Sequence, residues 1–281
     1  MALIHEGIGE VVFDNAGEFK AGDKVVMIPN TPNGEDVCRA NYSYKSKFRG
    51  SGFDGFISDL IKMEHDRLVK IPDDFDPFVS AFIELISVAY QGIVKFSDVA
   101  VTPKDNLGVW GDGNLGFITA LLLKVKYPDS KVIIFGKHFE NLNLFSFADE
   151  IYQIHNVPDD LAIDHAFECV GSSASQSAIE QIIDLINPQG TINLFGVSEY
   201  PVPINTRMVL EKGLTIQGNS RSEREDFIGV VETLKQNPQL FEHLEKLIAN
   251  ICEINSLNDL KEAFDKDYIS QFGKTILKWN K

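Results

Sequence analysis

Between residues 106 and 218 the chain alternates short apolar runs with longer amphipathic stretches. No other feature of its 281 residues constrains the fold as much. "NLGVW", "SKVIIF", "EIYQI", "AIDHAFE", "GTINLFG" and "GLTIQG" are too short for stable helices and read as strands. "NLGFITALLLKVK", "FENLNLFSFA" and "SQSAIEQIIDLI", lying between them, read as helices. Short apolar strands alternating with helices predict a parallel sheet covered on both faces, an α/β doubly wound Rossmann domain. The earlier part reads mostly as β. "GIGEVVFD" and "DKVVMIP" are strands joined by the turn-rich "NAGEFKAG", and "GFISDLIKM" and "HDRLVKIP" are two more. "DFDPFVSAFIELISVAYQGIVKF" predicts a helix with a proline near its first turn. "LNDLKEAFDKD" and "KTILKWN" read as helix then strand. The expected division is a nucleotide-binding domain over 86–218 and a second domain built from 1–85 and 219–281.

Charge narrows the function. Lys and Arg number 26 against 41 Asp and Glu, a net charge of −15. That balance argues against nucleic acid or an anionic membrane as a partner. An anionic substrate would need locally gathered cations. Two stretches supply them: "YSYKSKFRGSG", with Lys45, Lys47 and Arg49, and "NSRSER", with Arg221 just after the last sheet strand. Many surface basic loops are merely solvated, but Arg presents a fork of donors suited to phosphate. Placement ranks Arg221 first and Arg49 second. Cys38, Cys169 and Cys252 are widely spaced and form no CxxC, so no disulfide framework is expected. With no signal-peptide pattern and no membrane-length apolar run, a cytoplasmic protein is expected.

The sharpest local signal is "VWGDGNLG", in which Gly111, Gly113 and Gly116 form GxGxxG between a strand and a helix opened by Asn114 and Leu115. The first glycine permits the tight turn and the second lets backbone approach a pyrophosphate. The third allows close helix–strand packing. An anion would then sit at the positive helix N-terminus. NAD-preferring domains usually end the next strand with a carboxylate for the ribose hydroxyls. Here that turn is Gly136-Lys137-His138. Lys137 could pair with a 2′-phosphate and His138 could add a hydrogen bond, so NADP is preferred over NAD. A methyltransferase-like domain, whose glycine loop binds an adenosyl cofactor, is the other reading of this loop.

His5 and Glu6 open a different question. Both are good metal ligands, yet neighbours on a strand face opposite ways. With these segments in place, the whole chain resembles the medium-chain dehydrogenase/reductase superfamily of zinc alcohol and polyol dehydrogenases. "IHEGIGEVV" is similar to its GHExxGxV strand, "AGDKVVMIP" to its GDRV strand, and "FIELISVAYQGI" to the EPLSV segment of sorbitol dehydrogenases. "DGFISDLIKMEHDRLVKIPDD", "GDGNLGFITALLL", "AIDHAFECVG" and "GKTILKW" match its later segments. "PNTP" and "NTRMVLEKGLTIQGNSRS" further resemble the bacterial ribulose-5-phosphate reductases. Those enzymes use NADPH to make ribitol 5-phosphate for teichoic acid or capsule precursors.

The resemblance implies a GroES-like β-barrel catalytic domain beside the Rossmann domain. It implies a catalytic Zn²⁺ environment at His5, Glu6 and Glu84, and cofactor contacts extending to Val170 and Gly171. It also implies a sugar-phosphate substrate, and a homodimer or a cytidylyltransferase partner. Relatives carry a further N-terminal segment that supplies a Cys ligand. Because "IHEG" lies almost at Met1, the expectation is a barrel truncated at its start and weak zinc binding. Cys38 falls where relatives place a structural-zinc lobe of four cysteines, which one cysteine cannot form. Another zinc-dependent polyol dehydrogenase, or a non-catalytic NADP-binding protein that lost the zinc, remain alternatives.

Overall fold

The computed structural model describes residues 2–33, 40–43, 45–101 and 103–280, so Cys38 lies outside the described residues. The chain divides into two units, residues 1–88 with 221–281, and residues 89–220. The first begins with β1 (Ile8–Glu10), β2 (Lys24–Met27), β3 (Asn30–Thr31), β4 (Lys47–Arg49), β5 (Gly52–Phe53) and β6 (Leu68–Lys70). β2 is the middle strand of an antiparallel β1-β2-β6 sheet, with Val26 opposite both Ile8 and Val69. β3, β4 and β5 make a second small sheet.

Two segments depart from the strands expected of them. The strand over "GIGEVVFD" ends at Glu10. Asp14 accepts the amides of Ala16, Glu18 and Phe19 at 2.8–2.9 Å and turns the chain away, leaving Val12 and Phe13 exposed. No strand forms over "GFISDLIKM", where only Gly55 and Phe56 are buried. A Cβ on Gly55 would lie 2.1 Å from the Ile4 carbonyl oxygen, so bare backbone packs on residues 3 and 4. The amides of Phe56 and Ile57 donate to Ile4 and Leu3 there, at 2.8 and 3.2 Å. Beyond that point the apolar spacing has no buried face to serve.

The long helix expected next is two, α1 (Pro77–Ser80) and α2 (Ile83–Val99). Asp76 caps the first by accepting from Phe78 and Val79 at 2.8 and 2.9 Å, with Pro77 at the first helical position.

The second unit runs β7 (Asn106–Trp110), α3 (Asn114–Lys126), β8 (Lys131–Gly136), α4 (Phe139–Leu142), β9 (Glu150–Gln153) and β10 (His165–Glu168). It continues with α5 (Ser175–Leu185), β11 (Thr191–Leu194), α6 (Thr206–Lys212) and β12 (Thr215–Gly218). All six strands pair in parallel in the order β12-β11-β10-β7-β8-β9. This is the doubly wound sheet that the alternation predicts, and its order reverses between β7 and β10. Ligands bind such sheets at that switch point, outside the carboxyl ends of the strands. Trp110 and Phe135 stack at 3.9 Å in the core, and the buried indole N–H donates to Gln181 at 2.9 Å. The helix expected over "FENLNLFSFA" stops at Leu142. Leu144, Phe145 and Ala148 then donate three residues back, in tight turns rather than α-helix.

The chain ends in the first unit with α7 (Arg224–Gln236), α8 (Leu240–Leu244), β13 (Ile248–Ile254), α9 (Leu257–Ile269) and β14 (Lys274–Trp279). β13 and β14 pair in parallel, and the Ser256 hydroxyl caps α9. Among the described residues, no helix is long and apolar enough to cross a membrane.

Candidate functional site

In the second unit the three glycines are needed for different reasons. Gly111 has φ +125°, and a Cβ there would lie 2.9 Å from the Cys169 carbonyl oxygen. A Cβ on Gly116 would lie 2.0 Å from the Gly111 carbonyl oxygen, so loop and helix touch backbone to backbone. At Gly113, the N-cap of α3, a Cβ would meet nothing within 4 Å. That space lies at the start of a 13-residue helix, where Asn114 and Leu115 are the first two residues. Early helix amides lack intrahelical partners and attract anions.

The second-strand turn carries a residue that the sequence reading passed over. Asp112, inside the glycine loop, reaches across to it. Its Oδ2 accepts the amides of Lys137 and His138 at 2.9 and 2.5 Å and lies 3.1 Å from His138 Nδ1. Gly136 is glycine for the same reason, since a Cβ there would lie 2.6 Å from Asp112 Cβ. A second carboxylate, Glu168 at the end of β10, is fully buried. It accepts the Val170 and Gly171 amides at 2.9 and 3.2 Å, the Ser175 hydroxyl at 3.1 Å and the Gly196 amide at 3.1 Å. The Val170 and Gly171 amides therefore serve to shape the loop after β10. The half-buried Cys169 thiol is pushed far up by desolvation, so little of the nucleophilic thiolate forms.

In the first unit, His5, Glu6 and Glu84 each place one ligand atom within 4.8 Å of the others. Glu84 lies on the first turn of α2 and is buried. Burial first, then the nearby Glu6 charge, push its carboxyl up to about 8, against the pull of Lys274. Lys274, brought by β14, makes an ion pair with Glu6. His5 is edge-on to Phe48 at 5.2 Å, and burial lowers its pKa. An imidazole and two carboxylates fit a divalent cation such as Zn²⁺, and three protein ligands leave a position for a substrate oxygen. A cation would also relieve the electrostatic cost of a buried carboxylate beside a second one.

The two expected phosphate arginines differ in their surroundings. The Arg49 guanidinium donates to the carbonyls of Asp54 and Lys62 at 3.3 and 3.1 Å and lies over the Phe56 ring. It is spent on tying loops together. Arg221 holds φ +56°, accepts from Asn41 through its carbonyl at 2.6 Å and donates through Nη1 to Ser46 at 3.0 Å. Lys47 sits 5.4 Å from the Phe53 ring, and Lys45 is exposed.

Residues 142–236 match the family described as "Zinc-binding dehydrogenase". A ribulose-5-phosphate reductase of Bacillus spizizenii is 53% identical over 280 residues, covering 99% of this chain and 82% of the relative. Ribulose-5-phosphate reductase 1 of Staphylococcus aureus is 51% identical over the same span and coverage. The crystal structure of S. aureus TarJ in complex with NADPH superposes with a TM-score of 0.86 at 46% identity, covering 100% of this chain and 82% of that one.

Proposed function

Because the chain belongs to the zinc-binding, medium-chain dehydrogenase/reductase family, alongside the ribulose-5-phosphate reductases, we propose that it reduces ribulose 5-phosphate to ribitol 5-phosphate with NADPH. The observation that carries this reading is the 53% identity to such a reductase across 99% of the chain. The glycine loop and the three-donor cluster supply chemistry of the right kind.

NADPH would lie along the carboxyl edge of the six-stranded sheet, with its pyrophosphate over Gly111–Gly116 and its 2′-phosphate at Lys137 and His138. When bound, NADPH would supply a hydride for the ketone carbon, with the proton for its oxygen drawn from solvent, while the protein would supply orientation and electrostatics. His5 and Glu84 would hold Zn²⁺, with Glu6 adjacent. When bound, the ion supplies Lewis acidity towards the ketone oxygen. Lys274 keeps Glu6 in place, and Glu84 offers its carboxyl from a buried position. Arg221 is the first choice for the substrate phosphate. Arg49 is demoted, since its guanidinium is already occupied by two carbonyls.

The test is NADPH oxidation by purified protein loaded with Zn²⁺, comparing ribulose 5-phosphate with ribulose and with other ketose phosphates. Turnover that requires the phosphate and the ribulose skeleton is expected. NADPH binding with no ketose-dependent oxidation would instead identify a nucleotide-binding protein without this activity.

A further inference from the structure

The turn after β8 lacks the strand-end carboxylate of an NAD site, yet a carboxylate is present there all the same. It comes from the glycine loop, where Asp112 fills the space that Gly136 leaves. Its acceptor oxygen faces the protein, taking both turn amides and approaching His138 Nδ1. A carboxylate that accepts from backbone amides and an imidazole fixes those donors instead of greeting a ribose hydroxyl. With Nδ1 turned to Asp112, Nε2 is the ring nitrogen left for a ligand. The side chain of Asp112 is 14% exposed against 53% for His138, so the anchor is inside and the ring it holds is outside.

We infer that Asp112 is a positioning residue for the 2′-phosphate of the dinucleotide. It anchors the Lys137–His138 turn so that the lysine ammonium and the imidazole Nε2 meet that phosphate together. The inference rests on the NADPH reading above and adds to it the residue that arranges the specificity turn. Two long, rotatable side chains on an unanchored turn would pay ordering entropy on binding, which a fixed backbone has already paid. A bare turn would also leave its two amides to whatever ligand arrives.

The experiment measures dissociation constants for NADPH and NADH by fluorescence titration of the full chain and its variants. Asp112→Ala is expected to weaken NADPH about tenfold, the size of one lost charge-assisted contact. NADH should change less than about twofold, since its ribose carries no 2′-phosphate to position. Asp112→Asn keeps an oxygen for the amides and should recover part of the NADPH loss, which also guards against misfolding of the alanine variant. His138→Ala combined with Asp112→Ala should cost less than the product of the two single losses, because both act through one turn.

Equal losses for both nucleotides in the Asp112 variants would make the residue a mere support of the loop and overturn the proposal. Tighter NADPH binding in either variant would overturn it too, revealing Asp112 as a repelling charge. A separate failure is visible in Lys137→Ala and His138→Ala. If both leave the NADPH-to-NADH ratio unchanged, the phosphate does not sit at this turn, and the NADPH reading of the turn falls together with the role of Asp112.

Discussion

Replacing Glu84 by Gln tests the cation cluster through stability alone. In the metal-free protein the Glu84 carboxyl titrates at about 8 in the folded chain against an ordinary 4.5, with burial as the main cause. The native state therefore keeps a proton that the unfolded chain releases. The stabilisation this gives is complete below pH 4.5 and is lost as pH rises to about 8. Each pH unit in that window costs about 1.4 kcal/mol, so the loss amounts to roughly 3 kcal/mol by pH 7. Gln carries no such dependence, and any fixed cost of the amide is the same at every pH. Urea titrations of chelator-treated wild type and Glu84→Gln from pH 5 to 9 should give a stability difference that climbs in favour of the variant and flattens above pH 8. A difference that stays flat across pH 5–8 would refute the buried, proton-holding carboxyl. Zn²⁺ supplies the converse reading. It takes the carboxylate form, so wild-type affinity should rise with pH while the variant binds more weakly throughout.

Other substitutions read the remaining parts of the molecule. Gly113→Ala should fold normally, with open space around its Cβ, yet lose NADPH affinity at least about tenfold because the pyrophosphate approaches there. Gly116→Ala should lower the melting temperature by several degrees, since its Cβ would collide with the Gly111 carbonyl; circular dichroism separates the two cases. Lys274→Met frees Glu6 and removes a positive charge beside the cluster. It should tighten Zn²⁺ severalfold in a competition titration while lowering metal-free stability. Arg221→Ala should raise KM for ribulose 5-phosphate much more than for ribulose, and equal effects would move the search for the phosphate site elsewhere.

The legible parts of this chain were those governed by periodicity. β7, β8 and α3 announced themselves because a parallel strand buried on both faces needs an unbroken apolar run, and "NLGVW" and "SKVIIF" have one. "GFISDLIKM" has only a broken apolar pattern, and its first three residues lie along the backbone of residues 2–4, a contact that no local pattern encodes. The three-donor cluster was reached through resemblance, not through spacing, since Glu84 is far along the chain from His5. Lys274 was missed for the same reason. Asp112 and Glu168 stayed invisible because their partners are mostly backbone amides, which have no letter in a sequence. Their positions inside "GDGNLG" and "FECVG", next to glycines that hold tight turns, were the available clue.

The division of the chain also sets an order of events during synthesis. Residues 89–220 are contiguous and can fold as soon as they leave the ribosome, whereas the other unit is split across both flanks. Glu6 meets Lys274 across 268 positions, and β13 pairs with β14 only after both have emerged. At about 5–20 residues per second the leading piece waits roughly ten to forty seconds for its completion. Throughout that interval the β1-β2-β6 sheet stands without the C-terminal flank that completes its unit, and its edge strands β1 and β6 are templates for other nascent chains.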